Sequence, residues 1–362
     1  MWQSACSPAQ VSRQTQQNDI QVIIMLKACV IGMGHIGHNH ARSYISHDKA
    51  ELVAVCDIRE DRAKAASEKY GVPYYLDAQQ MLDEIKPDIV SVTTGGFEYS
   101  SDHYQPTIQA LKAGADVLCE KPISNDLKKA QEMVDTAKAL GRRFAIDMNH
   151  RFTPAARAAD KWQKDGRIGE LLFVNMELWI GRFEPKFDTE YYHFKALNPH
   201  SVDIMRHFGG DIEEVQCFAK KAAGRDIWSV QTTNVKFKNG AVGTLTSSYD
   251  IGRGHPMERC EVAGVGGRLV FEDMWRQATL YPAETLMKEV YTNPVFGGER
   301  FKEFFDTFQD RIHHFIDEVA AGVAPEDIDG SGADGLEATR VIHAMIKSHK
   351  TGLPVKVAEV TE

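Results

Sequence analysis

The stretch Leu26-Lys-Ala-Cys-Val-Ile31-Gly32-Met-Gly34-His35-Ile36-Gly37 decides the fold. Its first half is a short apolar run, and its second half spaces three glycines as G-x-G-x-x-G. A strand running into such a loop and opening a helix forms the turn of a dinucleotide-binding unit. The first glycine makes the tight turn and the second lets the backbone approach a pyrophosphate. The third lets the helix pack on the strand, while the helix N-terminus offers N–H groups to the phosphates. Asp57 ends the next apolar run, 20 residues after Gly37. A carboxylate there binds the hydroxyls of the adenosine ribose and disfavours a 2′-phosphate. The spacing therefore points to NAD, and Arg59 beside it leaves NADP open.

The same pattern continues outward. Short apolar runs recur at Leu26–Ile31, Leu52–Cys56, Ile89–Thr93, Val117–Cys119 and Phe144–Met148. Their polar residues sit at the ends, as expected for parallel strands buried on both faces. Helical stretches lie between them and stop at Gly71, Gly114 and Gly141, where a left-handed glycine cap is expected. Residues 21–148 thus read as a doubly wound parallel sheet. Beyond it, a helix near Pro154–Lys164 precedes β-rich segments at Leu171–Ile180, Glu214–Ala222, Thr232–Lys238, Ala241–Tyr249, Glu258–Ala263 and Arg268–Glu272. Asn239-Gly240 signals a two-residue hairpin. Helices return at Phe301–Ala321 and Gly335–Ser348. Residues 149–362 therefore predict an α+β domain with a large, mainly antiparallel open sheet, whose last helices can pack back on the first domain.

Composition narrows the function classes. The 362 residues carry 42 basic and 51 acidic side chains, a net charge of −9, and 43% are hydrophobic. At about 150 residues per domain this length predicts two soluble globular domains. The acidic balance argues against nucleic acid as a partner, and no apolar run approaches the roughly 20 residues of a membrane span. Six scattered cysteines form no C-x-x-C pair and read as reduced core thiols of a cytoplasmic protein. Residues 1–20 are rich in Gln and Ser and read as a flexible tail, with Met25 a candidate native start.

Three further clusters carry candidate chemistry. His35, His38 and His40 follow the glycine loop, but their directions diverge and no Cys or carboxylate beside them completes a ligand set. No metal is expected. Glu120-Lys121-Pro122 ends a strand of the first sheet, so Lys121 is aimed at the crevice where such sheets bind ligands. Asn198-Pro199-His200 reads as a helix start, with Asn198 as N-cap and Pro199 in the first turn. His200 and Asp203 then share a face. The helix N-terminus would favour a neutral His200, while Asp203 would push the other way. Tyr, Phe and charged residues between Phe183 and Phe194 suit stacking on a sugar or an interface.

Taken together, these residues resemble the glucose–fructose oxidoreductase, inositol dehydrogenase and rhizopine catabolism (Gfo/Idh/MocA) oxidoreductases, from about Met25 to Val357. The resemblance rests on the glycine loop with Asp57, on His103, Glu120-Lys121-Pro122, Asn149-His-Arg151-Phe152, His200-x-x-Asp203 and Thr351-Gly-Leu-Pro-Val. It implies a Rossmann domain, hydride transfer to NAD(P) from a sugar, cyclitol or related polyol, and a homodimer or homotetramer formed through the open sheet. Lys121 would stabilise the reacting oxygen and His200 would act as general base, with Asp203 touching substrate. By the same resemblance Thr93, Thr94, His103 and Glu120 would line the cofactor site, and Asn149, Arg151, His193 and Asn198 the substrate site. Two departures stand out. Ala196 replaces the aspartate that many members place four residues before the histidine, leaving Asp203, His193 or Lys195 to compensate. The segment Thr94-Gly-Gly-Phe-Glu-Tyr99 replaces a shorter Thr-Pro-Asn turn. The altered Ala196 keeps a redox-neutral glycoside cleavage through oxidation and elimination in play, and a dinucleotide sensor without turnover is the alternative from another class.

Overall fold

The structure is a computed structural model that describes residues 25–96, 102–181, 190–252, 256–292 and 302–361. The tail at 1–20 lies outside the described residues, as do 97–99 of the Thr94–Tyr99 loop and 183–189 of the aromatic stretch.

The first sheet grows from strictly alternating elements. In chain order these are β1 (Leu26–Ile31), α1 (His35–Ile45), β2 (Ala50–Cys56), α2 (Glu60–Tyr70), β3 (Tyr74–Tyr75) and α3 (Ala78–Ile85). They continue with β4 (Ile89–Val92), α4 (Tyr104–Lys112), β5 (Asp116–Cys119), α5 (Leu127–Leu140) and β6 (Phe144–Ile146). All pairings are parallel and the order is β3-β2-β1-β4-β5-β6. Strands β4, β5 and β6 are buried at every position, which is why they are mostly apolar rather than alternating, with Ser91 in β4 and Asp116 opening β5 as their polar residues. Gly71, Gly114 and Gly141 take φ of 70°, 89° and 60° just past α2, α4 and α5. Asp126 starts α5 by accepting hydrogen bonds from the Lys128 and Lys129 amides. The short α3, capped by Asp77 and ended without glycine at Lys86, has none of the long periodicity that announces its neighbours.

A 3-10 turn at Asn149–Phe152 crosses to the second half. Thr153 caps α6 (Pro154–Lys164), with proline in its first turn. There follow β7 (Leu171–Trp179), α7 (Tyr192–Gly209), β8 (Ile212–Lys220), β9 (Val230–Phe237), β10 (Val242–Ser248), β11 (Glu258–Gly264), β12 (Gly267–Glu272), β13 (Gln277–Pro282) and β14 (Glu289–Thr292). Then come α8 (Lys302–Ala320), α9 (Gly332–Thr351) and β15 (Val355–Lys356). The nine strands are ordered β14-β13-β12-β11-β7-β10-β9-β8-β15. The sheet is antiparallel except for β7 beside β10, and β13 to β15 extend it beyond the strands expected from sequence.

Two local expectations are corrected. The Asn239-Gly240 turn holds three residues rather than two, because Phe237 N–H donates to Ala241 O (2.9 Å). Gly240 at φ 92° supplies the left-handed position that a three-residue hairpin uses. Helix α7 starts at Tyr192, not at Asn198, so Pro199 lies inside it. Tyr192, His193, Phe194, Ala196 and Leu197 are all buried, and packing of that extra length outweighs the loss of one backbone hydrogen bond at proline.

Helix α8 returns to the first sheet. Its Phe308, Ile312, Phe315 and Ile316 share one buried cluster with Ala28, Val30, Tyr44 and Leu118. No helix among the described residues is long and apolar enough to cross a membrane.

Candidate active site

The glycine loop is fixed by close backbone contacts. Gly32 has φ 102°, and a Cβ there would lie 2.6 Å from the Thr93 carbonyl. A Cβ on Gly37 would lie 2.0 Å from Gly32 O. The folded protein itself requires both glycines. Gly34 differs: the nearest atom to its Cβ position is Arg62 Nη1 at 4.0 Å, so the backbone lies open at the start of α1, where His35 and Ile36 form the first turn. This is the cradle a pyrophosphate would fill. Asp57, only 7% exposed, accepts hydrogen bonds from Met33 N–H (2.7 Å) and Arg59 N–H (2.8 Å). A carboxylate offers about four acceptor sites, so capacity for ribose hydroxyls remains. The Arg59 side chain is engaged with Asp61. The residues present therefore fit a dinucleotide. Arg62, beside Gly34, was missed from sequence because an exposed arginine on α2 carries no pattern.

The other expected cofactor residues brace the crevice. Thr93 Oγ1 donates to Gly32 O (2.6 Å) and holds the loop. Thr94 Oγ1 donates to Asp102 O (3.3 Å). The His103 ring spans Pro122 O (2.8 Å) and Thr94 O (3.0 Å), tying together the turns that follow β4 and β5. The Lys121–Pro122 peptide bond is cis.

The fold does bring carboxylates to His40, although none adjoins it in sequence. His40 Nε2 lies 3.3 Å from Glu120 Oε1 and 3.2 Å from Asp147 Oδ2, all buried, and His40 Nδ1 lies 2.8 Å from Ser91 Oγ. Their ligand atoms lie close enough together to hold a metal ion. The same spacing suits an imidazolium shared between two carboxylates. Burial alone would lower the His40 pKa, but Asp147 and Glu120 outweigh it and hold it at about 9. In turn His40 keeps the Glu120 carboxyl below its usual range against burial, while burial and Glu120 push Asp147 up.

Helix α7 carries the second half of the site. Lys121 Nζ donates to Ala196 O (3.2 Å), one turn before His200. His200 stands mid-helix, so the helix N-terminus does not act on it. Burial, with His150 and Lys121 nearby, instead holds its pKa well below the usual imidazole range. The His150 ring stacks on His200 with centroids 4.3 Å apart and planes 11° from parallel. His150 in turn meets the fully buried Glu258. Both residues were missed: His150 sits inside a quoted motif without a role, and Glu258 looks like an ordinary strand residue.

The remaining candidates are built into the interior. Arg151 forms a bidentate ion pair with the buried Asp203 and reaches Asp329 and Asp334. Asn149 Nδ2 donates to Thr307 Oγ1 (2.6 Å). His193 Nε2 lies 2.9 Å from Ser247 Oγ, which donates to Asn198 Oδ1 (2.8 Å), and burial takes the His193 pKa down to about 3.

Comparison with known proteins agrees with this architecture. Residues 26–148 match the Gfo/Idh/MocA oxidoreductase family with an NAD-binding Rossmann fold, and residues 156–270 match that family's C-terminal domain. D-glucoside 3-dehydrogenase of Escherichia coli (strain K12) is 40% identical over 148 residues, 40% of this chain and 41% of that enzyme. Myo-inositol 2-dehydrogenase of Thermotoga maritima is 28% identical over 343 residues, 91% of this chain and 98% of that enzyme. A levoglucosan dehydrogenase solved with NADH and levoglucosan superposes with a TM-score of 0.80 at 18% identity. It covers 92% of this chain and 100% of that one, and so supports the fold. With both halves matched in order, this chain belongs to the Gfo/Idh/MocA oxidoreductases.

Proposed function

We propose that this chain is an NAD-dependent dehydrogenase that oxidises a secondary hydroxyl of a sugar, cyclitol or related polyol. The observation that carries the reading is the meeting of Lys121, at the carboxyl end of β5, with the helix that holds His200. In a doubly wound sheet the ligand crevice lies beyond those strand ends, and Gly34 lies open past β1, two strands away. When bound, NAD supplies the hydride acceptor. Lys121 donates a hydrogen bond to the reacting oxygen and stabilises charge that develops there. His200, held neutral, accepts the hydroxyl proton. The Asp57 carboxylate and the engagement of Arg59 by Asp61 favour NAD over NADP. The named activities of the glucoside and inositol dehydrogenases support the substrate class. The open face of the nine-stranded sheet, which exposes Phe218 and Val242, is read as the surface of a homodimer or homotetramer.

The test is to incubate the protein with NAD and a panel of cyclitols, sugars and glycosides. NADH absorbance and the mass of the product are then followed. The reading expects NADH together with a product lighter by two hydrogens. Release of an aglycone without net NADH would replace it with the elimination reaction.

A further inference from the structure

Two of the residues expected to compensate for Ala196 have other work. Asp203 is engaged by Arg151, and His193 by Ser247. What lies against His200 instead is the flat face of His150, at 4.3 Å between ring centres. His150 comes from the crossover turn and is 5% exposed. Its Nδ1 is 3.2 Å from Glu258 Oε1 and 3.1 Å from Oε2. Glu258 opens β11 with no exposed surface. Its backbone is fixed by Asp273, whose N–H donates to Glu258 O (2.7 Å) and whose Oδ1 accepts from Glu258 N–H (3.3 Å). The edge of Trp275 meets His150 at 6.2 Å and 63°. Buried carboxylates persist where a cation pairs with them, and among the described residues the side-chain partner of Glu258 is His150.

We propose that the Glu258–His150 ion pair is the positioning unit of His200, fixing the plane of its ring and keeping it unprotonated so that it can accept a proton. With the two rings stacked 4.3 Å apart between centres, a proton on His200 would face the proton that His150 shares with Glu258. Parallel stacking also leaves the ring little freedom to turn. Lys121 faces His200 from the turn after β5 and adds charge of the same sign. The Arg151–Asp203 pair lies one turn further along α7 and is already balanced. For catalysis the inference rests on reading His200 as the base, but its electrostatic content does not.

The test uses the full chain labelled with carbon-13 and nitrogen-15 at histidine. His200 is assigned by its missing signal in His200→Gln, and its ring is titrated by NMR in wild type, Glu258→Gln, His150→Gln and His150→Phe. Glu258→Gln removes the carboxylate that pairs with His150, and the two His150 variants remove the stacked ring itself, so all three relieve His200. Its titration midpoint is expected to rise by about one pH unit or more, a tenfold gain in proton affinity. On a turned-over substrate the acid limb of kcat/KM moves with it, while NAD affinity stays constant. Circular dichroism identifies which variants fold, and any one folded variant suffices. An unchanged His200 midpoint in a folded variant overturns the proposal. Wild-type turnover in His200→Gln would sink the base assignment instead, and the NMR result would still decide whether the pair acts on His200.

Discussion

Between Gly32 and Asp57 the contacts that shape the nucleotide loop are made by its own backbone, by the Asp57 carboxylate and by Thr93 just past the neighbouring strand β4. Around His200 they come from far apart. Lys121 reaches Ala196 across 75 positions, and His150 meets Glu258 across 108. The first site is built from backbone geometry that only glycine permits, so its residue types and spacing are dictated locally. The second is built from side chains brought together by two sheets and a crossover, and no short spacing records that. A substitution in the first should therefore act through the backbone, and in the second through charge left without its partner.

The largest expected effect lies in the second region. Asp203→Asn removes the carboxylate that pairs bidentately with the buried Arg151 guanidinium and leaves Asp329 and Asp334 beside its Nη1; such a break costs up to about 3–5 kcal/mol. Chemical denaturation should read that loss directly; an unchanged midpoint would mean that Asp329 and Asp334 suffice to hold Arg151.

His40 gives the next effect and gives it a sign. Its pKa is raised from 6.5 to about 9 by Asp147 and Glu120 against burial. The stability it contributes is full below pH 6.5 and is lost as pH rises through 9. Across that window the loss is up to roughly 3 kcal/mol. Denaturation midpoints should fall with rising pH in wild type and stay flatter in His40→Gln. A slope that survives the substitution would place the titrating group elsewhere.

The smallest effects separate two glycines three residues apart. Gly37→Ala forces a Cβ into Gly32 O and should cost about 1–3 kcal/mol, weakening NAD binding along with stability. Gly34→Ala meets open space in the protein, so stability should stay within about 0.5 kcal/mol. NAD affinity should nonetheless drop on the order of tenfold, about 1.4 kcal/mol. Thermal melts and NAD titrations of the two variants distinguish them. Equal melts, or NAD binding untouched in Gly34→Ala, would break the distinction between a glycine the fold needs and one the ligand needs.

The same contrast explains what was legible in the sequence. Strand–loop–helix alternation, glycine caps and the Asp57 spacing are local, and the parallel sheet follows them closely. Helix α7 was misread at its start because Asn198-Pro199 imitates a cap, while burial of Tyr192 to Leu197 carries the helix through. The carboxylates around His40 were invisible because Glu120 and Asp147 end different strands and meet His40 only once β5 and β6 lie side by side. Glu258 was invisible for the same reason. A buried acid on a strand has no periodic signature, and its partner His150 arrives from the domain crossover.

The most direct measurement compares NADH formation by wild type, Lys121→Ala and His200→Ala on the polyol that the wild type oxidises fastest, with NAD affinity measured in each. Loss of the oxygen ligand or of the base should each lower kcat by about 100-fold or more, while NAD affinity remains at the wild-type value. Equal turnover in all three proteins would contradict the assignment of Lys121 and His200 as the reacting pair.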